Sequence, residues 1–486
     1  MEENQEKVVK DPKKGIRLWI FIVSIIVTML LSIGLTIGIV WTQLPKFISN
    51  QNQTHQLSKQ EMFQIEKVFF YLKQAYVDKN VTNEQLIQGA LKGMAESVGD
   101  PYTTYLVNDE TAQLDETVNG AFGGIGAELK SDQSRVVIST TMEGSPSQQV
   151  GLQSDDVITK VDGEDMTGKT ISEVVKKVRG EVGTDVVLTI ERAGTSLEVK
   201  LTRASIAINT VKAELDKEDT TIGHIRITSF AKNTAQELEK AVKDLTSKGA
   251  KSFVFDVRYN PGGLLDQAYK VANMFLKDGE PIVQVEDRFG EKKIYKASSD
   301  IGTFKITQPY VLLVNEGSAS ASEILAAAIK EGAGGQTVGT KTYGKGTVQS
   351  VIDIADNSEL KYTNAKWLTP KGNWIHKEGV TPTKEVNLPD YAFLKIIDAR
   401  ETLKVGTVSQ NVLSVESILK GLGYSVTADG YFDEATQNAV RLYQQKEGIT
   451  VTGEVNEETA QKLMNSVRVL IQENDTQYQA AKELLK

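Results

Sequence analysis

The hydrophobic positions of this chain change their period several times, and each change predicts a different kind of element. An unbroken apolar run covers residues 16–41. Apolar residues then recur at helical spacing from Met62 to Tyr76 and from about Asn83 to Val98. Short β-type runs dominate residues 119–204, and strands alternate with helices over residues 205–390. The pattern predicts a multidomain chain in which an α/β core accompanies a small β-rich module.

A chain of 486 residues exceeds what one hydrophobic core supports, so we expect several domains. The predicted segments are a cytoplasmic N-terminus over 1–15, a transmembrane anchor over 16–41, a polar stalk over 42–60, an N-terminal helical region over 61–118, the β-module over 119–204, the α/β domain over 205–390, a linker over 391–406, a helical unit over 407–467 and a C-terminal tail over 468–486.

The apolar run over 16–41 is long enough to cross a membrane. At about 1.5 Å per residue, its length exceeds the roughly 30 Å hydrocarbon core. Four lysines precede the run and Arg17 stands at its start, so the positive-inside rule places the N-terminus in the cytoplasm and the remaining chain outside the cell. No Ala-x-Ala cleavage pattern follows, which favours an uncleaved signal-anchor over a secretory signal. The alternative, a buried helix of a soluble domain, fits this length poorly.

Composition excludes several functional classes. The net charge is −9, with acidic and basic residues mixed along the chain, which argues against nucleic acid as a partner. The chain contains no cysteine, so disulfides and thiolate chemistry are excluded. The histidines are His55, His224 and His376, too few for a His-rich metal site. We therefore expect neither a metal nor a cofactor.

The densest set of candidate catalytic residues lies over 314–349. A predicted strand, Tyr310 to Val314, turns into a predicted helix, and Ser320 stands at that turn. Free backbone N–H groups at a helix start can stabilise a developing oxyanion. Lys345 follows between two glycines, with Gln349 four positions later. A neutral lysine can take the proton of a serine nucleophile.

The residues alone leave two plainer interpretations open. Ser320, followed by Glu323, also fits a capping box, and Lys345 also fits a solvated surface charge. A catalytic Lys345 needs a lowered pKa, because an ordinary lysine has a pKa near 10.4. On an extended segment Lys345, Thr347 and Gln349 point to one face, so Gln349 can accept a hydrogen bond from the amine without charging it.

Two strings in this region resemble the active-site signature of the carboxyl-terminal processing peptidases, also called tail-specific proteases. They are Asn-x-Gly-Ser-Ala-Ser-Ala-Ser-Glu-Ile over 315–324 and Tyr-Gly-Lys-Gly-x-x-Gln over 343–349. In that family the middle serine is the nucleophile, the lysine is the base and the glutamine orients the lysine. The resemblance assigns these roles to Ser320, Lys345 and Gln349, and it implies a crotonase- or ClpP-like α/β core.

A further string, Asp-x-Arg-x-Asn-Pro-Gly-Gly over 256–263, also matches the family. There the turn supplies a backbone donor to the oxyanion, which implies this role for the N–H of Gly262. The second donor is then the N–H of Ala321, directly after the nucleophile. Without the resemblance, Gly262 and Gly263 fit equally well a turn that needs unusual backbone angles.

Residues 119–204 resemble a PDZ domain over their whole length. The Gly-Gly-Ile-Gly loop over 123–126 can point successive N–H groups at a carboxylate, and the following strand edge can pair with an extended peptide. The resemblance implies Gly124, Ile125 and Gly126 as peptide-binding residues. The alternative is a β-module that only packs against the α/β domain.

The helical unit over 407–467 contains an internal echo. Asp429-Gly430 before Asp433 is repeated by Thr452-Gly453 before Asn456, each time as a glycine turn, an N-cap and a helix. This unit is similar to the peptidoglycan-binding type-1 module, which has three helices. The alternative is a helical spacer.

Together these resemblances imply a membrane-anchored extracytoplasmic serine endopeptidase that recognises substrate C-termini through its PDZ domain and cleaves near them through an acyl-enzyme. The implied partners are protein substrates, cell-wall peptidoglycan, the membrane and a second copy bound through the N-terminal helices. One alternative is a wall-associated PDZ scaffold with an inactive protease domain. Another is a Ser-His-Asp protease, which the positions of His224 in a predicted strand and His376 in a loop disfavour.

Overall fold

The computed structural model describes residues 57–132 and 135–486. The chain divides into two compact units, one up to Ala90 and one from Leu91 to Lys486. The predicted anchor over 16–41 lies outside the described residues. Within 57–132 and 135–486, no helix combines the length and apolarity needed to cross a membrane.

The two helices predicted near the N-terminus are confirmed as α1 (Lys59–Ala75) and α2 (Asn83–Glu96). Ser58 caps α1: its hydroxyl accepts from the Glu61 N–H, and the Glu61 carboxylate accepts from the Ser58 N–H at 2.7 Å. This reciprocal pair is a capping box, which fixes where the helix begins.

The PDZ module is an insertion in a larger domain. The chain runs through β1 (Thr104–Val107) and α3 (Asp109–Asn119) before it enters the module. β2 (Ala121–Gly124) pairs antiparallel with β9 (Ala204–Ala207), which brings the two ends of the module together. Between them lie β3 (Ala127–Asp132), β4 (Arg135–Thr141), α4 (Pro146–Gln149), β5 (Val157–Val161), β6 (Glu164–Asp165), α5 (Ile171–Val178), β7 (Asp185–Arg192) and β8 (Thr195–Thr202).

The core of the α/β domain predicted over 205–390 is a mostly parallel sheet. Its strands are β10 (Val211–Leu215), β11 (Ile222–Ile227), β12 (Ser252–Asp256), β15 (Tyr310–Val314), β16 (Gln336–Gly339) and β19 (Lys384–Glu385), in that order across the sheet. Only β10 runs antiparallel to its neighbour. Every residue of β12 is buried, as expected for a central strand covered on both faces.

The helices of this domain show why its sequence alternates as it does. In α6 (Thr234–Ser247) the buried apolar residues recur three or four positions apart, so one face packs on the sheet: Ala235, Leu238, Val242 and Leu245. Two further helices are α7 (Leu265–Asn273) and α8 (Ala321–Ala327), and α8 continues as a π-helical turn, Ala328–Gly332.

A second, antiparallel sheet covers the domain and contains strands from distant parts of the chain. Its order is β1, β18 (Ser358–Leu368), β13 (Pro281–Asp287) and β14 (Lys292–Lys296), and β17 (Thr347–Ala355) pairs with β18. Since β1 precedes the PDZ module and β18 follows it, the module interrupts one continuous domain.

The helical unit over 407–467, called the wall-binding unit below after the module it resembles, has the three predicted helices, α9 (Gln410–Gly421), α10 (Glu434–Glu447) and α11 (Glu457–Glu473). The internal repeat also includes a buried polar side chain that binds each of the two glycine turns. Glu416 accepts hydrogen bonds from the N–H groups of Asp429 and Gly430. Gln444 does the same for Thr452 and Gly453. Each glycine turn therefore rests on a buried polar side chain of the preceding helix.

The structure differs from the predicted linker and tail. Ile397 and Leu403, within the predicted linker 391–406, are buried in the core of the wall-binding unit, after a 3₁₀ turn over Asp390–Phe393. The predicted tail, 468–486, contains the end of α11 and a further helix, α12 (Thr476–Glu483). Its buried apolar residues are small alanines, so local periodicity gives no sign of its docking.

Candidate active site

Ser320 lies at a strained turn between β15 and α8. Its φ of 54° is in the left-handed region that a side chain with a Cβ rarely adopts. The turn is fixed from within, because the Asn315 N–H donates to the Ser318 hydroxyl at 2.9 Å, and that hydroxyl donates to the Val257 carbonyl at 2.8 Å. Every residue of α8 is buried. The half-buried Ser320 is thereby presented on a rigid support.

The N-cap interpretation of Ser320 is only half fulfilled. Ser320 occupies the position before α8, but the Glu323 N–H donates to the Ser320 carbonyl oxygen, at 2.9 Å. The Glu323 carboxylate in turn accepts from the Ser320 N–H at 2.8 Å. The start of α8 is therefore stabilised through backbone atoms of Ser320, which leaves its hydroxyl available for chemistry.

Glu323 joins the serine turn to the lysine loop. Its carboxylate is fully buried and accepts hydrogen bonds from the Thr342 hydroxyl at 2.6 Å, the Gly344 N–H at 2.7 Å and the Lys345 N–H at 2.8 Å, besides that of Ser320. The N–H groups of Ser320 and Lys345 donate to the same oxygen, Oε2. The structure therefore brings together the two residues that the sequence predicts as nucleophile and base.

The Lys345 amine lies in a partly dry environment. Its Nζ is 4.5 Å from the centre of the Tyr102 ring. Burial is the main cause that lowers the pKa of Lys345, and the positive charge of Lys361 lowers it further, while Asp100 and Glu323 oppose both effects. The ring face attracts a cation but also excludes water from it. The net direction favours the neutral amine that a general base requires.

Gln349 lies on β17, after a break in the strand pattern. The strand begins at Thr347, so Lys345 precedes it, and a β-bulge falls between Val348 and Gln349. The predicted simple alternation from Lys345 to Gln349 is therefore wrong in detail. The Gln349 amide nitrogen donates to the hydroxyls of Thr347 at 3.0 Å and Thr363 at 3.3 Å. With both donors engaged, its carbonyl oxygen remains as an acceptor.

The two predicted oxyanion donors lie beside Ser320. A Cβ built on Gly262 would lie 2.9 Å from the Ser320 Cβ and 2.9 Å from the Ala321 nitrogen, so only glycine fits there. Ala321 is the first residue of α8, where an N–H has no partner within the helix. The Gly262 N–H, in contrast, donates to the Asn260 side-chain oxygen at 2.9 Å. An oxyanion bound there must share or replace that acceptor.

The predicted peptide-binding residues of the PDZ module line a groove between β3 and α5. Gly124, Ile125 and Gly126 are among the residues that line a cavity of about 340 Å³. The other lining side chains are mostly apolar: Phe122, Leu129, Ile171, Val175 and Val178. Gly126 has a φ of 70°, and a side chain there would overlap with Ser145. The loop therefore needs glycine at this position to keep its backbone close to the groove.

Comparison with known proteins agrees with this geometry. The profile of "Peptidase family S41" matches residues 221–386, and that of a "PDZ domain" matches residues 137–192. "Carboxy-terminal processing protease CtpA" of Bacillus subtilis (strain 168) is 40% identical over 423 residues, which cover 87% of this chain and 90% of that protein. The chain belongs to the carboxy-terminal processing proteases of peptidase family S41.

Further profile matches cover the N-terminal and C-terminal parts of this S41 protease. "Putative peptidoglycan binding domain" matches residues 408–463, and "Activating protease CtpB N-terminal domain" matches residues 37–111. "Probable CtpA-like serine protease" of Staphylococcus aureus (strain bovine RF122 / ET3-1) is 36% identical, with 94% of this chain and 91% of that protein covered. A solved "Photosystem II D1 C-terminal processing protease" is 28% identical, covers 68% of this chain and 95% of its own, and has a TM-score of 0.40.

These findings confirm that the chain is a serine-type carboxy-terminal processing peptidase with PDZ and peptidoglycan-binding domains. They argue against a Ser-His-Asp protease. His224 lies against Asp256, at 3.5 Å, and against the Tyr478 ring. His376 accepts a long hydrogen bond from the Gly346 N–H at 3.4 Å. Over residues 57–132 and 135–486, no group of three or more His, Asp or Glu side chains is placed to bind a metal ion.

Sequence reasoning missed two residues of this S41 site. Glu323 had a visible signal, its spacing from Ser320, but that signal indicated a helix cap rather than a link to Lys345. Tyr102 lies in the Gly-Asp-Pro-Tyr string over 99–102, which carries no local signal of a contact with Lys345. Burial and a hydrogen bond with Tyr343 raise the pKa of Tyr102 to about 12, so its ring stays neutral beside Lys345.

Proposed function

We propose that this protease cuts exported proteins near their C-termini, with Ser320 as the nucleophile and Lys345 as the general base. The observation that carries the proposal is the shared Glu323 oxygen, which brings the strained Ser320 and a Lys345 of lowered pKa to one place. A serine on a rigid turn and a desolvated lysine amine on the adjoining loop are the two parts that base-assisted acyl transfer needs.

In the proposed acylation step, the Ser320 oxygen attacks the scissile carbonyl carbon while the Lys345 amine takes the hydroxyl proton. The resulting ammonium then protonates the leaving amine as the C–N bond breaks, which yields an acyl-enzyme and restores the neutral lysine. Water attacks the ester in the second step, with Lys345 again taking the proton and returning it to Ser320. Gln349 offers its free carbonyl oxygen to orient the amine in both steps.

The tetrahedral intermediates carry a negative oxygen that needs donors. The Ala321 N–H is available at the start of α8, and Gly262 lies directly beside it. In this proposal the Gly262 N–H exchanges its bond to Asn260 for one to the oxyanion. Two preorganised donors of this kind contribute several kcal/mol to transition-state stabilisation, about 2.7–4 kcal/mol for one donor.

The PDZ groove supplies substrate selection in this proposal. The loop over 124–126 binds the terminal carboxylate through its N–H groups, and a substrate strand pairs with the edge of β3. The apolar wall that Ile171, Val175 and Val178 form favours substrates that end in apolar residues. A free C-terminus is therefore a requirement for efficient cleavage and not only a feature of the product.

The cellular setting is part of the same proposal. The apolar run over 16–41 anchors the chain with its N-terminus in the cytoplasm, and the catalytic part acts outside the cell. The wall-binding unit binds peptidoglycan and keeps the enzyme near the wall. A second copy pairs with α1, which buries none of its residues and exposes Phe63, Val68 and Phe70.

Matched peptides test this function. One peptide carries an apolar, free C-terminus and its twin ends in an amide, and both are incubated with wild type and with Ser320→Ala. We expect faster cleavage of the free form, no cleavage by Ser320→Ala, and loss of the preference in Val175→Glu, whose charge enters the groove. Ser172→Glu is the matched control, because Ser172 is exposed on the same helix outside the groove. Equal rates for both peptides in the wild type contradict PDZ selection.

A further inference from the structure

The C-terminal helix α12 packs on the protease sheet, although the wall-binding unit separates the two in sequence. Ala480 and Ala481 are buried in one cluster with Val254, Leu313 and Val338 of the parallel sheet. The end of the chain therefore completes one face of the catalytic domain.

Polar contacts fix both the position and the direction of α12. The Thr476 hydroxyl donates to the Asn387 carbonyl at 2.6 Å, and the Gln477 amide donates to the Val386 carbonyl at 2.9 Å. Lys482 lies 2.9 Å from a Glu218 oxygen at the other end of the helix. The chain thus leaves for the wall-binding unit directly after β19 and returns beside the same strand, so this unit is an insertion in the protease domain.

The side chain of Arg258 binds the N-terminal end of α12. Its guanidinium has five N–H donors, and three side chains accept from them. Asp256 accepts from Nε and from one terminal nitrogen. The other terminal nitrogen donates to Asp475 at 2.9 Å and to Gln477 at 3.0 Å, and a second Asp475 oxygen forms an ion pair with the guanidinium at 2.7 Å. Burial alone would lower the pKa of Arg258, but the charges of Asp256 and Asp475 raise it well above its ordinary value. The guanidinium is therefore a fixed, charged anchor.

The anchored residue belongs to the loop that carries Gly262. On either side of Arg258, the Val257 carbonyl accepts from the Ser318 hydroxyl at 2.8 Å and the Tyr259 N–H donates to the Asn315 side chain at 2.8 Å. Tyr259 has a φ of 57°, a conformation that surrounding contacts must enforce.

The next residue of this loop contacts the catalytic turn directly. The Asn260 carbonyl accepts from the Ala319 N–H at 3.0 Å and from the Ser322 hydroxyl at 2.9 Å. These two donors lie on either side of Ser320. A displacement of the loop therefore changes the distance between Gly262 and the nucleophile.

We infer that Asp475 and Gln477 are positioning residues for the catalytic turn, which act through Arg258 to fix Gly262 against Ser320. This inference rests on the proposed function, because its readouts are the reactions of Ser320. It predicts that the last residues of the chain control the chemical step while substrate binding in the distant PDZ groove is unchanged. If α12 only stabilised the fold, its loss would not lower the rate of the chemical step while leaving substrate binding unchanged.

The test compares two double variants of the full chain. Asp475→Asn/Gln477→Leu removes the charge and the acceptor that face Arg258, while asparagine can still cap α12. Thr476→Val/Lys482→Met is the matched control, since it removes docking contacts of the same helix that do not involve Arg258. Both are compared with the wild type by Tm, by kcat and KM on the free-C-terminus peptide, and by the rate of Ser320 labelling with a fluorophosphonate.

We expect Asp475→Asn/Gln477→Leu to lose about tenfold or more in kcat and in labelling rate, with KM close to the wild-type value. The control has a similar Tm and keeps its kcat, and Asp475→Glu recovers part of the lost rate. If both double variants lose kcat in proportion to their Tm, or if neither loses it, the inference is wrong. A wild type that leaves Ser320 unlabelled and the peptide intact overturns the proposed function as well, which distinguishes that failure.

Discussion

The backbone N–H groups of Ser320 and Lys345 donate to the same atom, Oε2 of Glu323, each at 2.8 Å. One buried carboxylate therefore sets the spacing between two residues that lie on separate loops. The Ser320 turn is fixed by its own contacts, and the Glu323 carboxylate adds the link between this turn and the lysine loop. This arrangement makes Glu323 a positioning residue in the proposed dyad, with no contact to the reacting atoms required.

Glu323→Gln tests this link. The glutamine has one carbonyl oxygen, and its amide N–H groups would face N–H donors of the two loops. Each charged hydrogen bond lost contributes about 1.5–3 kcal/mol. We therefore expect kcat to fall by about tenfold or more, together with a lower Tm. Glu316→Gln is the control, because Glu316 is exposed and its carboxylate accepts from the Thr340 hydroxyl, outside the Glu323 contacts. Equal kcat in both variants would contradict the role.

The pH profile of kcat/KM should respond to two charges near Lys345. The positive charge of Lys361 lowers the pKa of Lys345 and the negative charge of Asp100 raises it. Removing Lys361 in Lys361→Gln therefore raises the pKa and moves the rising limb of the profile to higher pH. Asp100→Asn moves it to lower pH. If the rising limb moves in the same direction in both variants, or moves in neither, then a group other than Lys345 titrates in this limb.

A carboxylate in place of Gln349 should impair the base. In Gln349→Glu the new negative charge stabilises the lysine ammonium, so less neutral Lys345 remains at neutral pH. We expect kcat to fall at pH 7 and to recover as the pH rises. Gln349→Ala removes the acceptor without adding charge, so its loss of kcat should be nearly independent of pH. Identical profiles for the two variants would argue against any contact between residue 349 and the lysine amine.

The wall-binding unit offers a prediction of stability. Gln444 is buried, accepts from the N–H groups of Thr452 and Gly453, and donates to the Glu454 carbonyl at 2.9 Å. In Gln444→Leu these backbone groups lose their partner, at a cost of about 1–3 kcal/mol for each group left unsatisfied. Calorimetry should show a lower Tm for this unit, and binding to isolated peptidoglycan should weaken. Gln445→Leu, at an exposed position of the same helix, should leave both unchanged.

The sequence predicted those parts of the fold and site that depend on local pattern. The change of period at Val314 placed a strand, a turn and a helix around Ser320, and the glycine turns before Asp433 and Asn456 placed two helices. The structure confirms these elements because each is fixed by neighbours within a few residues.

What the sequence did not reveal depends on contacts between distant segments. Tyr102 reaches Lys345 because β1 pairs with β18, and a strand register between remote segments leaves no periodic trace. The bulge before Gln349 has the same origin in strand pairing. Helix α12 was mistaken for a tail, since it packs through two alanines and through polar contacts with Arg258. Its role becomes visible only when its partners are known.

The most direct measurement is the rate of Ser320 labelling by a fluorophosphonate as a function of pH, in the wild type and in Lys345→Met. The methionine keeps most of the apolar stem of the lysine, so we expect the variant to fold. A Tm measurement checks this, so that slow labelling is not mistaken for unfolding. We predict that wild-type labelling rises with pH through a single ionisation below the ordinary pKa of lysine, and that folded Lys345→Met is slower by about 10²-fold or more. Labelling of folded Lys345→Met at the wild-type rate would contradict the account.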